Sequence, residues 1–168
     1  PPPYTSSAAS DVYKRQATLS LAPTRPRAGD DVVATAQGTD PDGDDVTLAY
    51  VWRVDGAEVP GVTDAILTAE HLLPGARITA SVTPSDALGA GAATSATVTV
   101  NRPPSLDGLV LTPATPGTHD DLVASVTALD ADGDEVTLTY AWQIDGVVVD
   151  GATGPTLSAE HTVRGDTC

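Results

Sequence analysis

The sequence of 168 residues contains no methionine and no phenylalanine, and its aromatic side chains are limited to two tryptophans and four tyrosines. The single cysteine, Cys168, cannot form an internal disulfide, so the stability of the chain cannot depend on one. Thr, Val, Ala, Asp, Gly and Pro dominate instead. This composition favours short strands and tight turns over helices.

Basic side chains are also scarce, since 8 Lys and Arg stand against 23 Asp and Glu and give a net charge of −15. Nothing basic is clustered, so no nucleic-acid partner is expected. The acidity indicates high solubility, cation binding or both. No apolar run approaches membrane-spanning length, so we expect no membrane span in this piece. The sequence shows neither a signal peptide nor an initiator methionine, and we therefore expect an internal fragment of a larger protein.

One acidic stretch, TDPDGDDVTLAYVWRVDG from Thr39, recurs as LDADGDEVTLTYAWQIDG from Leu129. Equivalent residues lie ninety positions apart, and residues 19–78 match residues 109–168 at 27 of 60 positions without a gap. A constant period with this identity indicates a tandem array of one module type. Apolar residues alternate with polar ones between regularly spaced turn signals. This pattern predicts an all-β module, an antiparallel β-sandwich of seven short strands.

The repeat divides the chain into two modules, 17–100 and 106–168. Between them the Pro-rich linker 101–105 is expected to be extended and semi-rigid. By the ninety-residue offset, Cys168 aligns with Ile78 inside the sixth strand. We therefore expect the second module to be truncated and not independently stable.

The leader, residues 1–16, does not match the repeat. Residues 6–16 resemble the translation of a transposase adapter used in sequencing libraries, and a natural Ser/Pro-rich linker is the alternative. On the adapter interpretation, the leader is unpacked and dispensable.

Each module has one tryptophan, Trp52 or Trp142, on the apolar face of an alternating strand. The other residues expected to point inward are small, so the core is thin and the tryptophan contributes a large share of its buried area. We therefore interpret both tryptophans as core residues and not as ligand platforms. Asp55-Gly56, which follows the first of these strands, is a strong hairpin-turn signal.

The D-x-DGD-x-VT-x-x-Y-x-W-x-x-DG core, the DD opening of the second strand and the TPSD turn at Thr83–Asp86 resemble bacterial immunoglobulin-like tandem repeats. These are related in outline to the cadherin-like and PKD-like modules of large surface proteins. The resemblance covers residues 17–168 and implies immunoglobulin-like strand order. It also implies stalks, spacers or adhesive arrays on secreted or surface-attached proteins, some of which bind Ca²⁺.

The alternating carboxylates of the acidic turn predict a cation site. DxDGD places three carboxylates within five residues, and Ca²⁺ takes several hard oxygen ligands from a flexible turn. The turn is not an EF-hand loop, because Asp45 stands where that loop needs glycine and Val51 where it needs glutamate. The alternative is a solvated turn in which Asp and Gly serve backbone geometry. The predicted Ca²⁺ ligands are Asp40, Asp42, Asp44, Asp45 and, if the loop after strand six lies at the same end, Asp86 in the first module, and Asp130, Asp132, Asp134 and Glu135 in the second.

The sequence contains no nucleophile–base arrangement, phosphate loop or Cys/His cluster, so no enzymatic activity is expected. The Glu-His pairs at 70–71 and 160–161 have no third partner and are interpreted as loop residues. The Arg-Gly-Asp sequence at 164–166 aligns with a plain turn and is interpreted as coincidence.

The leading functional hypothesis is a non-catalytic structural or adhesive repeat of a secreted or cell-surface bacterial protein. Its expected partners are neighbouring repeats of the same chain and an unknown surface ligand. The alternative is an accessory, carbohydrate-binding module attached to an extracellular hydrolase. Sugar binding needs an exposed ring platform, and the four tyrosines lie in the leader or face inward, which counts against the alternative.

Overall fold

Antiparallel strands account for the regular structure of the chain in the computed structural model, and the described residues contain no α-helix. The all-β class predicted from the sequence is therefore confirmed. The chain divides into two units at residues 102 and 103, inside the predicted linker. No helix of the described residues is long and apolar enough to cross a membrane. The structure describes residues 16–40, 43–87, 89–163, 165 and 167.

Unit 1 is a sandwich of two antiparallel sheets. One sheet has the order β1-β2-β5, and the other has the order β4-β3-β6, with β8 paired to the far side of β6 and β7 paired to its last two residues. The strands are β1 (Gln16–Ala22), β2 (Val32–Thr39), β3 (Thr47–Val54), β4 (Ala57–Glu58), β5 (Ile66–Leu67), β6 (Arg77–Asp86), β7 (Gly89–Ala90) and β8 (Thr94–Thr99).

The core of unit 1 lies between these two sheets and has Trp52 as its largest buried side chain. The period of two along β3 turns Tyr50, Trp52 and Val54 toward the core and leaves Thr47 and Ala49 exposed. This burial confirms the predicted inward face of β3. The buried core residues contributed by both sheets and their loops are Leu21, Val32, Ala34, Trp52, Leu67, Leu72, Ala76, Ile78, Ala80, Val98 and Val100.

Asp55 and Gly56 form the two-residue connection between β3 and β4, whose register pairs Val54 with Ala57. Both turn residues have positive φ, 51° at Asp55 and 85° at Gly56. A type I′ turn requires positive φ at both central residues, so the predicted hairpin turn is confirmed.

Two boundaries of unit 1 differ from those predicted. Strand β1 begins at Gln16, one residue inside the predicted leader, because Gln16 pairs with Thr39 of β2. The rest of the leader lies outside the described residues. Strand β6 continues to Asp86, where a turn was predicted, since β3 pairs with it as far as Ser85 and β7 pairs with its last residues.

Unit 2 repeats the first sheet of unit 1 and only a short part of the second. The order β9-β10-β13 reproduces β1-β2-β5, whereas β11 pairs with β12 alone. Among the described residues of unit 2, no strand pairs with residues 133–142, although their sequence repeats that of β3. The strands are β9 (Ser105–Thr112), β10 (Leu122–Leu129), β11 (Gln143–Ile144), β12 (Val147–Val148) and β13 (Thr156–Leu157).

Replacement of Trp52 by alanine should destabilise unit 1 by about 3–5 kcal/mol, because it removes the largest side chain of a thin core and leaves a cavity. Chemical denaturation followed by circular dichroism measures the change. Leu73→Ala is the matched control, since Leu73 is 70% exposed and its truncation should change stability by less than about 0.5 kcal/mol. Equal effects of the two substitutions would contradict the assigned role of Trp52.

Candidate functional site

The first acidic turn connects β2 to β3 and begins at Asp40, directly after the last residue of β2. The backbone N–H of Gly43 donates to the carbonyl of Asp40 over 3.2 Å and closes the turn. Asp44 and Asp45 are exposed, whereas Asp40 is half-buried. The predicted ligand Asp42 lies outside the described residues.

Asp86 lies at the same end of the sheet as this turn. The register pairs Ser85 of β6 with Thr47, the first residue of β3, and Asp86 follows directly. Its Oδ1 accepts the backbone N–H of Gly89 over 3.0 Å. One carboxylate oxygen of Asp86 therefore stabilises the connection between β6 and β7.

The second acidic turn, after β10, is organised by Asp130. Its Oδ1 accepts the backbone N–H of Asp132 over 2.8 Å and that of Asp134 over 3.2 Å. Its carbonyl accepts the N–H of Gly133 over 3.3 Å, as in the first copy. Asp130 thus acts as a side-chain acceptor within a turn, a common role of aspartate in loops.

The described residues contain no group of three or more His, Cys, Asp or Glu side chains arranged to hold a metal ion. The four predicted ligands of the second turn, Asp130, Asp132, Asp134 and Glu135, are all among these residues and do not form such a group. The first turn is described without Asp42. Calcium binding therefore stays a prediction.

Three other aspartates in each copy accept hydrogen bonds that the sequence pattern did not predict. Asp31, at the start of β2, accepts the N–H of Ala69 over 2.8 Å, and Asp121 accepts that of Ala159 over 2.8 Å. These bonds tie the first sheet to a 3₁₀ turn 38 residues further along the chain. They explain why the DD opening of the second strand occurs in both copies.

The remaining two aspartates also hold turns. Asp30 Oδ2 accepts the N–H of Arg27 over 2.8 Å, and Asp55 Oδ1 accepts that of Arg77, the first residue of β6, over 2.8 Å. The second copy repeats both bonds, through Asp120 and Asp145. All four aspartates are identical between the copies and stand beside turns, which is the signal present in the sequence. The donors to Asp55 and Asp145 lie 22 residues away, so these two bonds could not be read from the local sequence.

The two Glu-His pairs lie on 3₁₀ turns, Ala69–His71 and Ala159–His161. In the first, Glu70 Oε1 is 3.5 Å from His71 Nε2 and accepts the hydroxyl of Thr68 over 3.2 Å. Glu70 is exposed, as expected of a loop residue. The Arg and Asp of the tripeptide at 164–166 lie outside the described residues.

An apolar groove of about 390 Å³ opens on unit 2, where no strand among the described residues pairs with residues 138–142. We name it the unit 2 groove. Residues of β9 and β10 line one side of the groove. Trp142 lies at its floor and is only 6% exposed. Its apolar lining includes Leu106, Leu109, Leu111, Leu138, Tyr140 and Trp142.

Comparison with known proteins gives one partial similarity. The chain is 31% identical over 150 residues to the highly immunogenic outer capsid protein of Enterobacteria phage T4. The matched region covers 81% of this chain and 38% of the length of that protein. No protein-family model matches the sequence.

Removal of the Asp31 carboxylate by Asp31→Ala should destabilise unit 1 by about 1–2 kcal/mol, because the N–H of Ala69 loses a charged acceptor. Thermal and chemical denaturation measure the loss, and Asp31→Asn should recover part of it because the amide oxygen can still accept. Asp64→Ala is the matched control, since it removes the same charge from an exposed position whose backbone carbonyl, not its carboxylate, accepts from Trp52. If the control loses as much stability as Asp31→Ala, the effect is one of charge and not of the hydrogen bond.

Proposed function

We propose that the chain is part of a non-catalytic array of immunoglobulin-like repeats displayed on the outer surface of a cell or virion, where it acts as a spacer or adhesive element. The observation that carries this proposal is that residues shared by the two copies have structural roles. The shared tryptophans and the shared aspartates Asp31 and Asp121 make the same structural hydrogen bonds in both copies. The residues that the two copies share therefore maintain a structural scaffold.

The strand arrangement of unit 1 supports the immunoglobulin-like assignment. Strands β1, β2 and β5 form one sheet, while β3 and β6 lie side by side in the other, with β8 paired to the far side of β6. Immunoglobulin-like sandwiches divide their strands between two sheets in a similar way, with a buried tryptophan on the third strand. Trp52 occupies that place on β3.

The similarity to the phage protein supports display on an outer surface. That protein is named as a highly immunogenic outer capsid protein. Since this chain matches 38% of its length, the similarity concerns a part of such a protein and not its whole activity. The strong acidity of the chain also suits an exposed surface element, because like net charge keeps neighbouring copies soluble.

The carbohydrate-binding alternative finds less support. Among the aromatic residues that the structure describes, Trp52 and Trp142 are buried, and Tyr50 and Tyr140 are half-buried. Each indole Nε1–H also donates to a loop carbonyl, of Asp64 in one copy and of Gly154 in the other. These rings therefore offer no exposed platform for a sugar.

The spacer role can be tested with chains that contain one, two or four copies of residues 17–105. A spacer should give a maximum dimension, measured by small-angle scattering, that rises in proportion to copy number, because the Pro-rich linker resists collapse. A control series with the two linker prolines, Pro103 and Pro104, replaced by glycine should be shorter per copy. A dimension that stops rising with copy number would refute the spacer role, and retention on a glycan array would favour the alternative.

We also propose that the acidic turns bind Ca²⁺, on the basis of their repeated DxDGD spacing. Since the described carboxylates of the second turn are not gathered, binding requires that turn to rearrange. Millimolar Ca²⁺ should raise the melting temperature relative to chelator, because an ion that binds only the folded form stabilises it.

The double variant Asp132→Asn and Asp134→Asn should lose part of the calcium-dependent increase in melting temperature. The matched control is Asp107→Asn and Asp150→Asn, which removes the same charge from exposed positions outside the turns. Calorimetric titration that shows no binding heat, together with an unchanged melting temperature, would leave the acidic turns with a backbone role alone.

A further inference from the structure

The space that forms the groove in unit 2 is filled in unit 1 by two strands. In unit 1, β6 pairs with the whole length of β3, from Thr47 opposite Ser85 to Val54 opposite Ile78, and β8 pairs with β6. The repeat places residues 137–144 of unit 2 at the position of β3. We propose that the unit 2 groove binds an antiparallel β-hairpin of this chain's own repeat type, with the pattern of residues 79–100, as added strands.

The floor of the unit 2 groove has the same tryptophan geometry as the surface that β6 covers in unit 1. Trp142 is held by its bond from Nε1 to the carbonyl of Gly154 over 3.0 Å, which matches the bond of Trp52 to Asp64 over 2.9 Å. Trp52 lies opposite Ala80 in the register of unit 1, so a small residue faces the indole. The receiving surface is therefore formed before the hairpin binds.

The start of the added strand is also present. Two hydrogen bonds join Thr167 to Asp145: the N–H of Thr167 donates to the Asp145 carboxylate over 3.0 Å, and the carbonyl of Thr167 accepts the backbone N–H of Asp145 over 2.9 Å. Arg77 makes the same pair with Asp55 in unit 1. Since Thr167 stands in the place of Arg77, the hairpin that fits the groove begins near residue 79.

The exposure of β9 shows the apolar surface that the hairpin would cover. Leu109 is 67% exposed, whereas its equivalent in unit 1, Leu19, is half-buried against the core. Leu106, near the start of the same strand, is also 67% exposed. In unit 1 the strand β8 lies beside β1, with the hydroxyl of Thr94 donating to the carbonyl of Ala17 over 3.0 Å.

A β-hairpin suits this surface better than a helix or a small apolar ligand. Residues 137–142 offer an edge of backbone N–H and C=O groups that no strand of the described residues pairs, and only an extended segment satisfies such an edge in register. Residues 79–100 present Ala80, Val82, Ala96, Val98 and Val100 on the inward face in unit 1. Asp86 is their single ionisable side chain, so the hairpin adds little repulsion to an acidic unit.

The test is titration of the full 168-residue chain with a synthetic peptide of residues 79–100. We expect saturable binding of one peptide per chain, with hydrogen exchange slowed by about tenfold or more at residues 137–142 and no change at β3. A peptide with Ala80→Asp and Val98→Asp should not bind, because its inward face is charged. Failure of the wild-type peptide to bind, or equal binding of the charged peptide, would overturn the proposal.

A matched pair of variants of the chain locates the binding. Leu109→Asp, in the groove wall, should abolish peptide binding, whereas Val147→Asp, 69% exposed on β12 and outside the groove, should leave it unchanged. As a second arm, a chain with residues 79–100 joined after position 168 should protect residues 137–142 without added peptide. Absence of protection in this chain would contradict the proposal even if the free peptide were too weakly structured to bind.

Self-association is the remaining outcome. If the chain without peptide forms dimers at micromolar concentration and residues 137–142 become protected in them, a second copy occupies the groove and the hairpin proposal is wrong. Sedimentation velocity over a concentration series distinguishes this result from peptide binding to a monomer. The proposed spacer function does not depend on either outcome.

Discussion

The structure depends on one tryptophan per module, held in the same way in both copies. In unit 1 the indole of Trp52 is fully buried between the sheets, and its Nε1–H donates to the carbonyl of Asp64 over 2.9 Å. This bond connects β3, in one sheet, to the loop that leads into β5, in the other. In a chain without Phe or Met, Trp52 is the largest buried side chain, and because protein interiors are closely packed its indole helps to set the distance between the sheets.

Aspartates provide the second constraint, because they fix the connections between strands that the small core leaves weakly held. Asp31 joins β2 to a distant 3₁₀ turn, Asp55 joins the hairpin to β6, and Asp130 closes its own turn. A carboxylate that accepts a backbone N–H makes a stronger bond than a neutral acceptor does. Part of the large negative charge is thus a consequence of how the loops are held.

The two units show what each sheet contributes. In unit 2 the first sheet forms with the same strand order as in unit 1, although a bulge between Ser125 and Thr127 shifts the register of β9 by one residue. Trp142 remains buried with its hydrogen bond. The segment equivalent to β3 forms no long strand within the described residues, since a strand exists only through the hydrogen bonds of a neighbour. Local pattern is therefore sufficient to place the tryptophan but not to complete the second sheet.

The sequence by itself determined the repeat, the all-β class, the inward face of β3 and the turn at Asp55-Gly56, because alternation and positive-φ residues act over a few positions. It also located the acidic turns, where it predicted Ca²⁺ ligands that include Asp130. Only the tertiary structure decided that Asp31, Asp55 and Asp130 point at backbone N–H groups, two of which belong to residues more than twenty positions away. Such long-range contacts depend on which strands become neighbours, and alternation along a single strand carries no information about its neighbour.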